Sequence, residues 1–273
     1  MNRINLDIHR FVIVASMALV VSCGGGGGGE DDRFPTPTLP ADAMKFDATN
    51  ANDAAQTIVG FSSTFSDLPV LKTETEPSLS QIVDSALDKI ISWNRNVSGT
   101  AARTEDISAG LCDSGSAIAQ SSESGSSSSG DINFTNCDIG GVMQLNGNFA
   151  FDASWNDTTL DYNFHTGGTL SITFGTDTVT VMMNLRESGN ESTGDFSTDI
   201  SFSMSGVPGA GFLVETDQRV TGNDFTMTLT AGRLIAYGAG NTRLRITVTG
   251  PNQASVDLDD GSGIFVPQSP IVF

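Results

Sequence analysis

Few side chains in this sequence are of the types that act as nucleophiles or bind metal ions. Its 273 residues include three cysteines and two histidines, and one histidine, His9, lies in the N-terminal segment. The usual zinc sites need three or four clustered ligands, and a cysteine nucleophile needs a free thiol beside a histidine. His165 alone cannot supply either site, and the sequence has no Gly-x-Ser-x-Gly elbow. We therefore expect His165 to be a hydrogen-bonded or exposed surface histidine, and we predict no catalytic residue.

Carboxylates are numerous, but they form no recognisable site. The stretch Asp257-Leu258-Asp259-Asp260-Gly261 partly matches a calcium-binding loop. In such loops a glycine stands at the sixth position and a glutamate at the twelfth, whereas here the glycine is fifth and Gln268 is twelfth. This stretch is therefore predicted to be an acidic turn. Acids are too abundant elsewhere for a glycosidase pair to stand out. The prediction is a non-enzyme without a metal or a cofactor.

Cys23 directly follows an N-terminal segment that has the pattern of a secretory signal. Two arginines precede an apolar run over residues 11–21. The sequence Val20-Val21-Ser22-Cys23 resembles the lipobox of bacterial lipoproteins. This resemblance implies that residues 1–22 are removed as a signal peptide and that Cys23 carries a diacylglycerol on its sulfur. An ordinary cleavable signal with a chance cysteine is the alternative.

The predicted compartment and partners follow from the anchor and the charge. Gly24 follows Cys23 where, in the Gram-negative family pattern, an aspartate favours inner-membrane retention, so the resemblance implies the outer membrane. The domain would face the periplasm or the cell surface. The chain carries 13 Lys+Arg against 32 Asp+Glu, and such an acidic surface repels nucleic-acid phosphates. The expected partners are the membrane, through the N-terminal lipid, and possible proteins of the envelope, with no nucleic acid.

Cys112 and Cys137 are the two cysteines that remain, and in an exported protein such a pair predicts a disulfide. Closing a loop of about 25 residues should stabilise the fold by roughly 3 kcal/mol. A redox-active pair is the alternative, but the Cys-x-x-Cys spacing is missing. The serine-rich stretch at 121–130, within this loop, has little to bury and is expected to be mobile.

The N-terminal part of the mature chain is predicted to hold a tether and two helices. Residues 23–45 form the flexible tether, because six glycines are followed by acidic and proline-rich sequence. Residues 46–273 form a single domain. Its helical part, 46–95, contains a first helix capped by Asn50 and a second that opens at Pro77-Ser78 and runs to Trp93.

Residues 110–273 are predicted to be an antiparallel β region, because apolar and polar residues alternate there with period two. Turn signals such as Asn156-Asp157, Gly167-Gly168 and Gly222-Asn223-Asp224 separate the runs. Asn146-Gly147 fits either a two-residue hairpin turn or a glycine bend in one long strand, and the bend is favoured because the alternation continues through it. Gaps this short exclude crossover helices. The predicted fold class is therefore α+β, mainly β, with a long antiparallel meander, as a curved sheet or partly open barrel, packed on two N-terminal helices.

The whole layout is similar to that of the uncharacterised outer-membrane lipoproteins of Gram-negative bacteria, although only the lipobox is a specific motif. This resemblance implies a lipid-anchored envelope protein and no activity. The expected role is structural or interactive and non-enzymatic. The alternative is a periplasmic carrier or binder of an apolar ligand such as a lipid, with a ligand site that the sequence does not locate. The many phenylalanines on the apolar strand faces, including Phe225, favour a packed core over a cavity.

Overall fold

Strands make up most of the computed structural model, which describes residues 33–63 and 102–273 except positions 110, 142, 207, 208 and 227. In the described part, one α-helix precedes a single antiparallel sheet of thirteen strands. Helix α1 spans Ala51–Ser63, and a short 3₁₀ turn spans Ala239–Asn241. The strands are β1 (Arg103–Asp106), β2 (Ser114–Ser124), β3 (Ser127–Ile139), β4 (Met143–Trp155), β5 (Asp161–Phe174), β6 (Asp177–Asn190), β7 (Asp195–Ser205), β8 (Phe212–Asn223), β9 (Thr228–Tyr237), β10 (Arg243–Gly250), β11 (Gln253–Asp259), β12 (Val266–Pro267) and β13 (Ile271–Val272).

The strands lie in the sheet in the same order as in the chain, from β1 to β12, and β13 turns back to pair with β11. Each strand pairs antiparallel with its neighbour because the turns between them are too short for a crossover. Among the described strands, β1 and β12 end the order and do not pair with each other, so the sheet is open. The mainly β class and the long antiparallel meander are confirmed.

The two faces of the sheet differ in the way that the period-two pattern predicts. We call the side that carries the alternating apolar residues the inner face and the other side the outer face. Leu145, Ile172, Phe202 and Leu244 lie on the inner face of four different strands and are fully buried. They belong to one connected hydrophobic cluster that extends from β2 to β13 and includes α1. The core therefore lies against the inner face.

Helix α1 confirms the first predicted helix. Ala51, Ala55, Ile58 and Val59 recur on one side of it and are buried, and the helix packs against β10, β11 and β13. Asn50, predicted to cap it, instead accepts a hydrogen bond from the Asp47 amide and donates one to a main-chain carbonyl. The structure describes this one helix and not two. The predicted second helix, from 77 to 93, lies outside the described residues.

Glycines inside β4 and β5 mark bends in long strands. The predicted bend at Gly147 is confirmed, since β4 continues through it with a φ of 130°. The predicted turn at Gly167-Gly168 is wrong, because β5 runs unbroken through both residues. A Cβ added to Gly168 would lie 2.1 Å from the Asn148 carbonyl oxygen. Glycine is required here because the backbones of neighbouring strands approach closely. Glycine in a sequence can therefore mark such a close approach as well as a turn.

The serine-rich stretch was expected to be a mobile loop, and this expectation is wrong. It forms the hairpin of β2 and β3, which turns at Gly125 and Ser126. β3 also pairs with β4 on its other side, and the Phe151 ring lies over Gly130. Serines add little burial of their own, but the main-chain hydrogen bonds of a strand do not depend on the side chain. A neighbouring strand with large side chains is therefore enough to order this hairpin.

Asparagines link the turns that follow β4, β6 and β8. The side-chain amide of Asn190 donates to the Thr159 carbonyl (2.9 Å) and to the Asp161 carboxylate (2.7 Å). Both acceptors lie beside the preceding turn. One turn further on, the side-chain amide of Asn223 donates to the Thr193 carbonyl and to the Asp195 carboxylate, at 2.8 Å each. Each asparagine also accepts hydrogen bonds from main-chain amides of its own turn. Three turns at one end of the sheet are thus tied in a row.

Phe225 was predicted to lie on an apolar strand face, but it lies in the turn between β8 and β9 and is 62% exposed. The side-chain oxygen of Asn223 accepts the Thr226 amide hydrogen and closes a turn over residues 223–226. This turn takes Phe225 out of the strand, so that β9 begins only at Thr228.

Candidate functional site

The predicted lipid attachment point, Cys23, lies outside the described residues, so its modification stays a prediction. The first described residue, Arg33, follows it by ten positions in the chain. What the structure describes is how the polypeptide that leads away from Cys23 joins the sheet.

Residues 33–46, which we call the strap, lie against the sheet. Residues 23–45 were predicted to be a flexible tether, so the described part of that tether instead contacts the domain. The Arg33 guanidinium pairs with both carboxylate oxygens of Asp152 on β4, at 3.2 and 3.1 Å. The next residue, Phe34, is buried, and its ring stacks on the His165 imidazole of β5 with centroids 3.6 Å apart. The Asn184 amide of β6 donates to the carbonyls of Phe34 and Pro35. The strap therefore begins on the outer face of β4, β5 and β6.

The strap continues towards the turn end of β7 and β8 and then reaches the core. The Asp42 carboxylate accepts the Gly206 amide hydrogen at 2.7 Å, and the Met44 amide donates to the Gly211 carbonyl at 2.7 Å. Phe46 is fully buried, and its amide donates to the Thr242 hydroxyl. These contacts follow one another along the chain, so the strap is held at both ends and between them.

His165 lies within β5 on the outer face, because the strand continues through Gly167-Gly168, where a turn was predicted. Its Nε2 is 2.9 Å from the Asn184 side-chain oxygen, and its ring is covered by Phe34. The prediction of a hydrogen-bonded histidine is confirmed. His165 thus contacts the strap through the ring of Phe34, and the sequence did not indicate this contact.

The predicted disulfide is confirmed: Cys112 and Cys137 are bonded, with their Cα atoms 5.1 Å apart. Cys137 is buried on β3, and Cys112 lies in the connection between β1 and β2. The bond therefore ties that connection to the third strand. Both thiols are consumed, which leaves neither of them available as a nucleophile or a metal ligand.

The acidic stretch at the end of β11 is held by arginines of β10. Asp259 receives two hydrogen bonds from Arg243, the shorter at 2.6 Å, and Asp257 receives one from Arg245 at 3.0 Å. The second Asp259 oxygen accepts main-chain amides of the following turn, and these partners together lower the pKa of its carboxyl. Asp257 and Asp259 thus already have cationic partners. Among the described residues, no group of three or more metal-binding side chains is placed to hold an ion.

A buried carboxyl on the inner face is the least expected polar feature of the sheet. Glu187 on β6 is 1% exposed, in the row that also carries Val181, Met183 and Leu185. Tyr162 on β5 donates its hydroxyl hydrogen to one carboxyl oxygen at 3.0 Å. Thr198 on β7 donates a short hydrogen bond to the other. The carboxyl therefore joins three adjacent strands inside the core.

The surroundings of this cluster disfavour negative charge. Burial raises the pKa of Glu187 well above its usual value, against the opposing effect of the hydrogen bond from Thr198. Burial and the nearby Glu187 likewise raise the pKa of the Tyr162 hydroxyl. Burial raises the pKa of Asp224, in the turn after β8, to about 7. Both Glu187 oxygens are occupied by the chain's own hydroxyls, so the cluster fits a role in packing better than contact with a substrate.

The sequence contained a signal for Glu187 but none for the strap contacts. Glu187 is the next residue of the period-two series that runs through Met183 and Leu185 on the apolar face of β6. A carboxyl at such a position is expected to be buried. The pairing of Arg33 and Phe34 with Asp152 and His165 joins residues that are distant in the chain, so no local pattern records it.

In the described part of the chain, no helix is long and apolar enough to cross a bilayer. No protein-family model matches this chain, and neither a curated protein nor a solved structure matches it.

Proposed function

We propose that this protein is a lipoprotein of the bacterial outer membrane, anchored through a lipid on Cys23, with a non-enzymatic structural or interaction role. The observation that carries the proposal is the bond between Cys112 and Cys137. Disulfides persist in oxidising compartments such as the periplasm and the cell surface. Together with the lipobox-like sequence that ends at Cys23, the bond supports export followed by anchoring.

The non-enzymatic role is supported by the engagement of the groups that could do chemistry. His165 is stacked on Phe34 and hydrogen-bonded to Asn184. Glu187 is buried with its own hydroxyl partners, and the two cysteines are bonded to each other. A general acid or base must reach the proton it transfers on a substrate. These groups instead serve contacts within the domain.

A packed interior supports this role over that of a lipid carrier. Leu145, Ile172, Phe202 and Leu244 are fully buried along the middle of the inner face. Side chains that line a ligand cavity keep open surface on the ligand's side, because the cavity must have room for it. The outer membrane and a protein of the envelope are accordingly the partners that we propose.

The anchor is tested by the intact mass of the protein from its own membranes. We expect a mature chain that begins at Cys23 and carries three acyl chains, and Cys23→Ser should be unprocessed or released from the membrane. Cys112→Ser is the matched control, because it removes a different cysteine and should leave the lipid in place. A mature chain that begins elsewhere without a lipid would contradict the proposal.

The choice between the structural role and the carrier is tested separately. The domain with Cys23→Ser, purified without detergent, should show only the mass of the polypeptide in native mass spectrometry. A stoichiometric lipid retained by this variant would favour the carrier instead. Because the lipid-bearing cysteine is absent from this sample, the result does not depend on the anchor.

A further inference from the structure

The three linked turns at one end of the sheet form an exposed surface with apolar side chains and acids. We propose that this surface docks a segment of another protein that is rich in lysine or arginine and also presents apolar side chains. We call residues 156–161, 190–195 and 223–226 the turn platform. The inference rests on the proposed interaction role, to which it adds the surface and the chemistry of the partner. It does not depend on the lipid at Cys23.

Two large apolar side chains are exposed on the turn platform. Phe225 is 62% exposed and Leu160 is 41% exposed. They flank the same turn, because the Leu160 carbonyl accepts the Glu191 amide hydrogen at 2.9 Å and the Phe225 ring lies over Gly194. The buried core of a protein interface is rich in aromatic and aliphatic surface of this kind. The pair therefore supplies the platform with an apolar centre.

The backbone at Leu160 shows that local folding does not favour a leucine there. Its φ is 61°, in the left-handed region, and the other described non-glycine residues with positive φ are the asparagines Asn136, Asn241 and Asn252. This conformation costs most side chains about 1–2 kcal/mol, whereas asparagine adopts it more readily. Neither burial nor backbone preference accounts for this leucine, and contact with an apolar group of a partner does.

Hydrogen bonds hold the three turns of the platform in place before anything binds. Asn190 bonds to the turn that precedes its own, and Asn223 does the same one turn further on. The Asp224 amide also donates to the Gly194 carbonyl at 2.8 Å. A surface that is ordered in advance loses less conformational entropy on binding. The platform can therefore dock a partner without rearranging.

The charge of the turn platform indicates which partner fits it. Its three turns contain no lysine or arginine and five acids, namely Asp157, Asp161, Glu191, Asp195 and Asp224. Hydrogen bonds from the neutral side chains of Thr159 and Asn190 lower the pKa of Asp161, so its charge is kept. Such a surface repels anionic groups and a second copy of itself, and it attracts lysine and arginine. Charge complementarity therefore favours a basic protein segment as the occupant.

Binding of a synthetic peptide tests the apolar centre. The protein, purified from its own cells in a non-ionic detergent, would be titrated into a dye-labelled peptide that repeats Lys-Leu-Lys-Gly, with fluorescence anisotropy as the readout. We expect Phe225→Ala and Leu160→Asn each to weaken binding at least about fivefold, or about 1 kcal/mol. The same peptide with serine in place of leucine should bind more weakly to the parent protein by a similar factor.

Ile264→Ala is the matched control for the apolar centre. Ile264 is 67% exposed and follows the end of β11, at the opposite end of the sheet from the turn platform. This substitution removes an exposed apolar side chain outside the proposed surface. It should change the dissociation constant of the peptide by less than about twofold.

Two double variants test the charge. Asp157→Asn/Glu191→Gln removes two acids of the platform, and Asp177→Asn/Asp260→Asn removes two exposed acids from the opposite end of the sheet. The first should weaken peptide binding at least about threefold and the second hardly at all, because the Debye length is about 10 Å at 0.1 M salt. Equal effects of the two double variants would overturn the inference.

Unfolding in urea separates binding from folding. Leu160→Asn should leave the unfolding midpoint unchanged or raise it, because asparagine suits this backbone conformation. No binding of the peptide, or no weakening by Phe225→Ala and Leu160→Asn, would overturn the inference, while the mass of the lipidated chain would still support the anchor. A dimer that Phe225→Ala dissociates in analytical ultracentrifugation would also overturn it, since a second copy would then be the occupant. An unlipidated chain that shows the expected contrasts would contradict only the anchor.

Discussion

The ring of Phe34 lies against the imidazole of His165, with centroids 3.6 Å apart and planes inclined by 20°. Phe34 is the second residue of the described chain, whereas His165 lies within β5. Their contact, the ion pair between Arg33 and Asp152, and the amide of Asn184 attach the strap to three neighbouring strands. The same contacts engage the histidine that was the main chemical candidate in the sequence.

Removing the Phe34 ring should detach the strap. We expect Phe34→Ala to lower the free energy of unfolding by roughly 1.5–3 kcal/mol, the value of burying such a side chain. Hydrogen exchange should become faster at the amide of Met44, which donates to Gly211. Phe225→Ala is the control and should change stability by less than about 0.5 kcal/mol, because this ring is exposed. Equal effects of the two variants in urea unfolding would contradict the role of the Phe34 contact.

The bond between Cys112 and Cys137 should stabilise the fold measurably. It closes a loop with a sequence separation of 25, for which the chain-entropy model gives about 3 kcal/mol. We expect the double variant Cys112→Ala/Cys137→Ala to lose about this amount in urea unfolding. Reductant should destabilise the parent protein and leave the double variant unchanged. Thiol labelling of both cysteines in freshly isolated, unreduced protein would show that the bond does not form in the cell.

The buried acids should make the protein less stable as the pH rises. Burial raises the pKa of Asp224 from 3.8 to about 7, so the folded chain keeps a proton that the unfolded chain releases. Stability from this site is fully present below about pH 4 and is lost as the pH rises to about 7. The shift at Glu187 acts in the same direction.

Asp224→Asn should therefore flatten the dependence of unfolding free energy on pH between 4 and 7, measured in urea at four or five pH values. The control is Asp157→Asn, which changes an exposed acid of a nearby turn. A slope that Asp224→Asn leaves unchanged, or that both substitutions change equally, would contradict the assignment.

An asparagine that links two turns should contribute more to the stability of the fold than one whose hydrogen bonds stay within its own turn. Asn190→Ala removes the hydrogen bonds to Thr159 and Asp161 and those within its own turn. Asn156→Ala removes only bonds to amides of its own turn among those that the structure describes. We expect a loss of about 1–2 kcal/mol for Asn190→Ala and a smaller loss for Asn156→Ala. Thermal unfolding of the two variants compares them, and a larger effect of Asn156→Ala would argue against the link.

The fold was predictable in outline because its determinants are local. Alternation at Val179, Val181, Met183 and Leu185 marks a strand with one buried face, and short turns leave an antiparallel neighbour as the simple solution. The errors have a local cause as well. Gly167-Gly168 satisfies a turn pattern, but the same residues also suit a place where two backbones approach. Only the neighbouring strands decide between these uses.

By itself, the sequence determined the periodicity of the strands, the order of the meander, the first helix and the pairing of Cys112 with Cys137, because each depends on spacing along the chain or on the number of cysteines. The tertiary structure alone decided where the strap lies, what His165 contacts and which hydroxyls meet Glu187. Those contacts join Phe34 to β5 and Tyr162 to Thr198 across strands. They depend on the register and curvature of the sheet, which arise from packing of the whole core and are not encoded in any short stretch of residues.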